Sequence, residues 1–483
     1  MFSKRAAALF GARAVAGLAG LGVIVASVGA AGLITWPTVE AAPSSVVVSP
    51  TPSEQQRVCP GPLLTLAEDS SQAQSVSSVG AAAAVFGARP AAADSDWIEP
   101  EATDLAAPDN ANTSGAPLLL RVPTPPGSAA APLVTGSQSQ IAAGETLGGL
   151  AIAGCGEAAG DSWLVGGSTD IGRTSLVLLS NPTTVVATVD LTVFGETGEV
   201  DAPGSTGILV QPGSQRVVSL AGLAPNLRSP VVHMESQGGQ VAATLQQSIV
   251  RGLEPGGVDL IGASSGPAES QVIAGVIVTA GTGADAATEV GGLADDVTSV
   301  RVLVPGPKAA TVQVGVTDAS GQAGGSSLQV DIQPGVATEV PVTGLAPGTY
   351  SLKLTADQPI VAAAQSSAAG SAGRDFSWFA SSDSLTDEFL VATADGPSPQ
   401  LNLVNTGSAG ATYTVAPEQG EPLTVTVPAG SAATLAVAAG QRYLVSGGES
   451  TVASVAYSGD GLLAAFALSQ AGPLAAPIRV YPR

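Results

Sequence analysis

Beyond Asp161 the chain breaks into short apolar runs that alternate with polar residues at period two, separated by Gly, Pro, Asn and Ser turns. This alternation predicts strands that bury one face and wet the other, at the spacing of β-sandwiches. The pattern recurs three times. Each copy opens with a strand-like run, at 163–165, 276–278 and 389–391. An apolar strand leading into a turn follows, at 175–182, 299–305 and 400–405, and then a strictly alternating element at 187–193, 310–316 and 411–415. Next comes a strand entering a Pro-Gly or Ala-Gly turn, at 208–213, 330–335 and 425–430. A small-residue strand closes each copy, at 240–243, 360–363 and 451–454, with a last strand near Leu260, Phe379 or Phe466. Successive copies lie roughly 100 to 125 residues apart, the size of one immunoglobulin-like sandwich. The expected fold class is therefore all-β, with tandem immunoglobulin-like β-sandwich units at 161–270, 271–384 and 385–483.

The first 160 residues read differently. Lys4, Arg5 and Arg13 precede a weakly apolar run at 14–36, which as a helix would span about 35 Å, and the next positive charge is Arg57. The asymmetry places the N-terminus in the cytoplasm and the rest outside the membrane. The segment 1–41 is thus a transmembrane or signal segment, either a retained single-pass anchor or a leader cleaved near Ala41, after which the chain is secreted. From 42 to 160 the chain is rich in Pro, Ser and Ala, with Asp94, Asp96, Glu99, Glu101, Asp104 and Asp109 set against Arg89. Such a composition buries little apolar surface, so 42–160 is expected to be a disordered acidic stalk with a few strands, among them 63–66 and 118–122. Cys59 and Cys155 are the only cysteines and both lie beyond the anchor, so they are expected to be joined in an oxidising compartment. The competing readings, a reactive thiol or a metal ligand, find no nearby His or second Cys at metal spacing.

Composition narrows the chemistry. With 39 Asp and Glu against 17 Lys and Arg, the net charge of −22 argues against binding nucleic acid. Hydrophobic residues make up 45 % of the chain but aromatic residues only 4 %, alongside 60 Gly and 35 Pro, as in a fold of short Val, Leu, Thr and Ala strands. Trp163, Trp378, Phe376, Phe379, Phe389 and Tyr350 are accordingly read as core anchors, with a sugar-stacking platform as the alternative. The single histidine, His233, lies in a predicted strand without a marked nucleophile and cannot make a two-His metal site. Gly154, Cys155, Gly156 and Gly160 brush against a dinucleotide fingerprint, but no helix is predicted after them. Loop carboxylates remain: Asp295 with Asp296, and Asp383 with Asp387 and Glu388, read as solvated charge, with a Ca²⁺ site or a glycosidase pair as alternatives.

Cys59-Pro60-Gly61-Pro62, Cys155 followed by Trp163-Leu164-Val165-Gly166-Gly167, Leu179-Ser180-Asn181-Pro182, the Gln211-Pro212-Gly213 turn and Leu223-Ala224-Pro225 together resemble an actinobacterial exported family of unknown function. The resemblance covers about 59–483. It implies a membrane-anchored or secreted envelope protein without assigned activity, often encoded beside a large multi-spanning glycosyltransferase, and it carries no functional residues across. The expected function is that of a non-catalytic extracytoplasmic scaffold or interaction protein of the cell envelope, without a cofactor, binding an envelope glycan or a membrane glycosyltransferase. The alternative is a carbohydrate-active hydrolase using loop carboxylates.

Overall fold

The described parts of the segment expected to be a stalk, 42–160, are largely folded into sheets. The computed structural model describes residues 46–48, 54–66, 75–90, 96–112, 114–125, 128, 130–279, 297–321, 328–371, 373–385, 388–469 and 478–480. The whole of 1–41, together with Asp94, Asp295, Asp296 and Asp387, lies outside the described residues. Among the described residues no helix is long and apolar enough to cross a membrane. The chain divides into two compact units, 1–49 with 477–483, and 50–476. In the first, β1 (Val46–Val48) pairs antiparallel with Ile478–Val480.

The second unit begins with β2 (Gln55–Cys59), β3 (Leu64–Leu66), β4 (Val76–Ser78), β5 (Ala83–Arg89), β6 (Glu101–Asp104), β7 (Leu118–Val122), β8 (Leu133–Ala143) and β9 (Gly148–Gly154). They form the sheets β2-β7-β6, β3-β4 and β5-β8-β9. Polar side chains order this layer where apolar area is scarce. A Gln carboxamide offers the same donor and acceptor as a peptide group, and three buried glutamines use theirs as substitute ladder rungs. Gln138 accepts from Gly61 N at 2.9 Å and donates to Gly61 O at 2.6 Å. Gln246 does the same with Leu64, at 2.9 and 2.7 Å. Gln140 accepts from Leu63 N at 2.9 Å and donates to Val79 O. Together the rungs satisfy backbone groups of Gly61, Leu63, Leu64 and Val79 around the Pro60-Gly61-Pro62 segment, which is why a polar, proline-broken stretch is ordered.

Three groups of strands follow. The first holds β10 (Asp161–Val165), β11 (Arg173–Asn181), β12 (Ala187–Gly195), β13 (Gly198–Val200), β14 (Ile208–Val210), β15 (Ser214–Ser219), β16 (Val231–Gly238), β17 (Ala242–Arg251) and β18 (Glu254–Gly262). The second holds β19 (Ala268–Val278), β20 (Ser299–Leu303), β21 (Ala310–Asp318), β22 (Leu328–Ile332), β23 (Thr338–Pro341), β24 (Gly348–Gly370) and β25 (Gly373–Ala380). The third holds β26 (Glu388–Thr393), β27 (Gln400–Asn405), β28 (Ala411–Pro417), β29 (Leu423–Val427), β30 (Ala432–Ala436), β31 (Gln441–Ser446), β32 (Thr451–Gly459) and β33 (Leu462–Ala467). β19 crosses the boundary expected at 270.

The strand orders correspond. The first group reads β10-β16-β12, with β13 and β14 on β12, and β15-β11-β17-β18. The third reads β26-β31-β28-β29 and β30-β27-β32-β33. In the second, the 23-residue β24 serves both orders: its first half pairs with β19 and β21, its second with β20 and β25. Each pair of orders shares one apolar core, such as Leu164, Val189 and Met234 against Val177 and Leu245 in the first group. The two faces of β9 are both buried. Leu150 and Ile152 join the core of the third group, while Ala151 and Ala153 pack with Leu176, Leu178 and Leu260 of the first.

Cys59 and Cys155 form a disulfide across a sequence separation of 96. The bridge ties β2 to the residue after β9, beside the backbone bonds Val58 N to Gly156 O, 2.8 Å, and Gly156 N to Val58 O, 2.9 Å. Its reduction is expected to cost about 4 kcal/mol through the entropy regained by the unfolded chain. Calorimetry with and without reductant measures this, and an unchanged melting temperature would mean that the hydrogen bonds alone hold the layer.

Candidate functional site

Two carboxylates meet where the first and second groups touch. Asp259 sits in the apolar run of β18 and Asp375 in β25, and each accepts bonds from the backbone of the other's strand. Asp259 Oδ2 accepts from Trp378 N at 2.7 Å and Asp375 Oδ1 from Val258 N at 3.2 Å. Asp375 also accepts from Phe376 N at 3.0 Å, from Leu150 N of β9 at 2.8 Å and from Leu463 N of β33 at 3.2 Å. One carboxylate thus binds backbone from the N-terminal layer and all three groups. The approach depends on glycine: Gly149 and Gly257 have φ of +133° and +121°, and a Cβ on either would come within 2.6 or 2.8 Å of Asp375 Oδ1. Burial raises the Asp375 pKa to about 7 against the pull of its four N–H donors. Burial likewise raises Asp259 well above the usual carboxylate range.

Arg301 of β20 packs on Trp378, whose backbone N–H binds Asp259. Its Nη1 donates to Gly167 O at 2.9 Å and Pro230 O at 2.8 Å, and its Nη2 to Glu339 Oε1 at 2.6 Å. The guanidinium carbon lies 4.4 Å from the centre of the Trp378 ring. Trp378 Nε1 in turn donates to Gln247 Oε1 at 2.7 Å. In the third group Arg442 pairs with Glu418 and Glu99 and lies over Trp97, so part of the acidic stretch is docked.

Beside this junction runs a cleft of about 670 Å³, lined by 154–159, by Trp163, Trp378 and Phe466, and by Ser264, Ser265, Ser381 and Asp383. Arg57 and Glu157, 3.0 Å apart, line the same cleft. Ser264 Oγ is buried on the cleft wall without a hydrogen-bond partner. A depression of similar volume, lined by Val79, Ile141, Gly144 and Asp395, offers one ionisable side chain. The first cleft therefore carries the chemistry.

The residues singled out in the sequence distribute as follows. Trp163 and Trp378 are 4 % and 2 % exposed, which gives neither an open face for stacking a sugar. Phe376, Phe379, Phe389 and Tyr350 are also buried. Gly154, Cys155 and Gly156 lead into a β-bridge beside the disulfide, with no helix following. Asp383 is exposed on the cleft rim and Glu388 is exposed at the start of β26. His233 is not isolated: its Nε2 lies 2.7 Å from Asp161 Oδ2, and its ring stacks on Trp163 at 4.0 Å. The register of β10 and β16 sets Asp161 opposite Glu235 and Trp163 opposite His233. Sequence reasoning missed this grouping, and it missed Asp259, Arg301 and Asp375. The available signal was a charge inside an apolar strand, as in Val258-Asp259-Leu260 and Val300-Arg301-Val302.

A family described as "Family of unknown function (DUF5719)" matches residues 107–438. The chain belongs to that family. The DUF5719 match takes in β7, β8 and β9, so much of the layer expected to be a stalk is family sequence. Asp259, Arg301 and Asp375 all fall within it. No curated protein matches the chain. Among solved structures, one titled "Biofilm associated protein - BSP domain" is similar at 10 % identity over 90 % of this chain and 99 % of that one, with a TM-score of 0.13.

Proposed function

We propose that this DUF5719 protein is a non-catalytic extracytoplasmic scaffold or interaction protein of the cell envelope. In this reading the corresponding strand orders are three tandem immunoglobulin-like β-sandwich units behind an N-terminal transmembrane or signal helix. The junction carries the proposal. Asp259, Arg301 and Asp375 are buried, and each is bonded to the backbone of another strand group, so polar groups that a reaction would need serve to lock the units together. The disulfide supports an oxidising location. A packed junction with a cleft beside it suits the capture of an envelope glycan or of a loop from a membrane glycosyltransferase.

The test is photo-crosslinking in the intact envelope, read by mass spectrometry, with the photoreactive residue at Ala263 on the exposed cleft wall and a control at the exposed Ile171. An envelope glycan or membrane protein captured from Ala263 and not from Ile171 is the expected result; equal or absent capture would count against the cleft.

A second reading, a carbohydrate-active hydrolase, draws on the presence of Glu157, Asp161 and Asp383 on one cleft. Glu157 is paired with Arg57 and Asp161 with His233, so this reading rests on Asp383 acting with one of these two paired carboxylates. Release of reducing sugar from envelope polysaccharide that Asp383→Asn abolishes would favour the hydrolase over the scaffold.

A further inference from the structure

We propose that Asp161, His233 and Glu235 form a binding site for a divalent transition metal of the zinc class on the outer face of the β10-β16-β12 sheet. The ladder places the ligands. Paired residues in an antiparallel sheet point to the same face, as do residues two apart on one strand. Asp161 and Trp163 on β10 therefore share a face with Glu235 and His233 on β16. Leu164, Val232 and Met234 point the other way, and on the shared face Trp163 is buried while Asp161 and Glu235 are exposed. One donor atom from each of Asp161, His233 and Glu235 lies within 4.8 Å of the others. Among the described residues no other group of this kind occurs.

Two further observations point to a cation. Asp190 on β12 lies opposite Glu235 on its other side, so Asp190, Glu235 and Asp161 form a row of like charges across three adjacent strands. Like charges directly opposite one another destabilise a sheet, and a bound cation removes that repulsion. The His233 ring is also held in place: it stacks on Trp163 with an interplanar angle of 10°, and Trp163 stacks in turn on Phe194 at 6.1 Å. This stack fixes the ring plane with Nε2 towards Asp161.

The donor set selects the metal. An imidazole nitrogen with two carboxylates suits zinc and its neighbours, whereas calcium and magnesium take oxygen ligands. Zinc bound at about 2.1 Å to nitrogen and oxygen in a tetrahedral site sets those donors about 3.4 Å apart. The present His233–Asp161 separation of 2.7 Å opens to that distance by a small side-chain rotation. Two carboxylates and one imidazole leave the fourth position to water or to a group from a partner.

The test is titration of ZnCl₂ into the EDTA-stripped full chain, followed by calorimetry, with Cu²⁺ quenching of tryptophan fluorescence, compared between the wild type and Trp163→Phe, as a second readout. The wild type is expected to bind one zinc and to melt at a higher temperature when loaded. Glu235→Gln and Asp161→Asn, which keep side-chain shape, are expected to weaken binding by at least about tenfold each. His233→Ala is expected to abolish it. Because His233→Ala also removes a stacking partner of Trp163, the Glu235→Gln result is the deciding one. Absence of zinc binding by the wild type, or binding that Glu235→Gln leaves unchanged, would overturn the site.

Discussion

Asp375→Ala is expected to lower the stability of the protein by about 6 kcal/mol, enough to unfold a body of marginal stability. The carboxylate accepts from the N–H groups of Leu150, Val258, Phe376 and Leu463. Each buried N–H left without an acceptor costs about 1–3 kcal/mol, and the truncated side chain leaves a void as well. Urea unfolding monitored by Trp fluorescence measures the loss; a change below about 2 kcal/mol would show that the junction does not depend on this residue. The same group makes stability depend on pH. Its pKa in the folded protein is about 7, above the ordinary value of 3.8. Between these values the folded state holds a proton that the unfolded chain has released. The contribution is therefore complete at acid pH, falls by about 1.4 kcal/mol per pH unit towards pH 7 and levels off above it. Asp259 is shifted the same way and adds to the trend. Asp375→Asn, which cannot titrate, is expected to flatten the profile between about pH 4 and pH 7 even though its amide is a poorer acceptor for four donors.

Arg301→Ala is expected to cost about 5 kcal/mol. Glu339, Gly167 O and Pro230 O all lose their donor, and Trp378 loses the cation over its ring. Removing one partner of a buried pair leaves the other charge unpaired, which alone costs about 3–5 kcal/mol, with up to about 2 kcal/mol more from the lost ring contact. Arg301→Lys should recover little, because an ammonium cannot reach two carbonyls and a carboxylate while stacking on indole. Arg301→Met with Glu339→Gln, which removes both charges, is expected to regain much of the stability. A double-mutant cycle by urea denaturation reads the coupling, and additive losses would mean that the pair contributes nothing as a pair.

Arg301 lay in plain view in the sequence as a charge inside an apolar strand, Asp375 only as one of an Arg374-Asp375 pair at the start of one, and the partners of neither were visible. Asp375 meets Leu150 across 225 positions and Arg301 meets Gly167 across 134. The period-two alternation around 187–193 and 411–415 needs only local information, because a strand half in water must alternate wherever it ends up. The N-terminal layer carried no such period. Gln138, Gln140 and Gln246 look like solvent-facing side chains until the backbone whose groups they satisfy is packed beside them.

By itself the sequence determined an all-β body with repeated strand patterns and a pair of cysteines in position to join, since side-chain periodicity and residue count are properties of the chain alone. Tertiary structure decided that 54–160 is largely folded, that Asp259, Arg301 and Asp375 form the junction, and that His233 faces two carboxylates. The reason is physical: the environment of a charge or an amide depends on which distant backbone excludes water from it, and that is known only once the strands have packed.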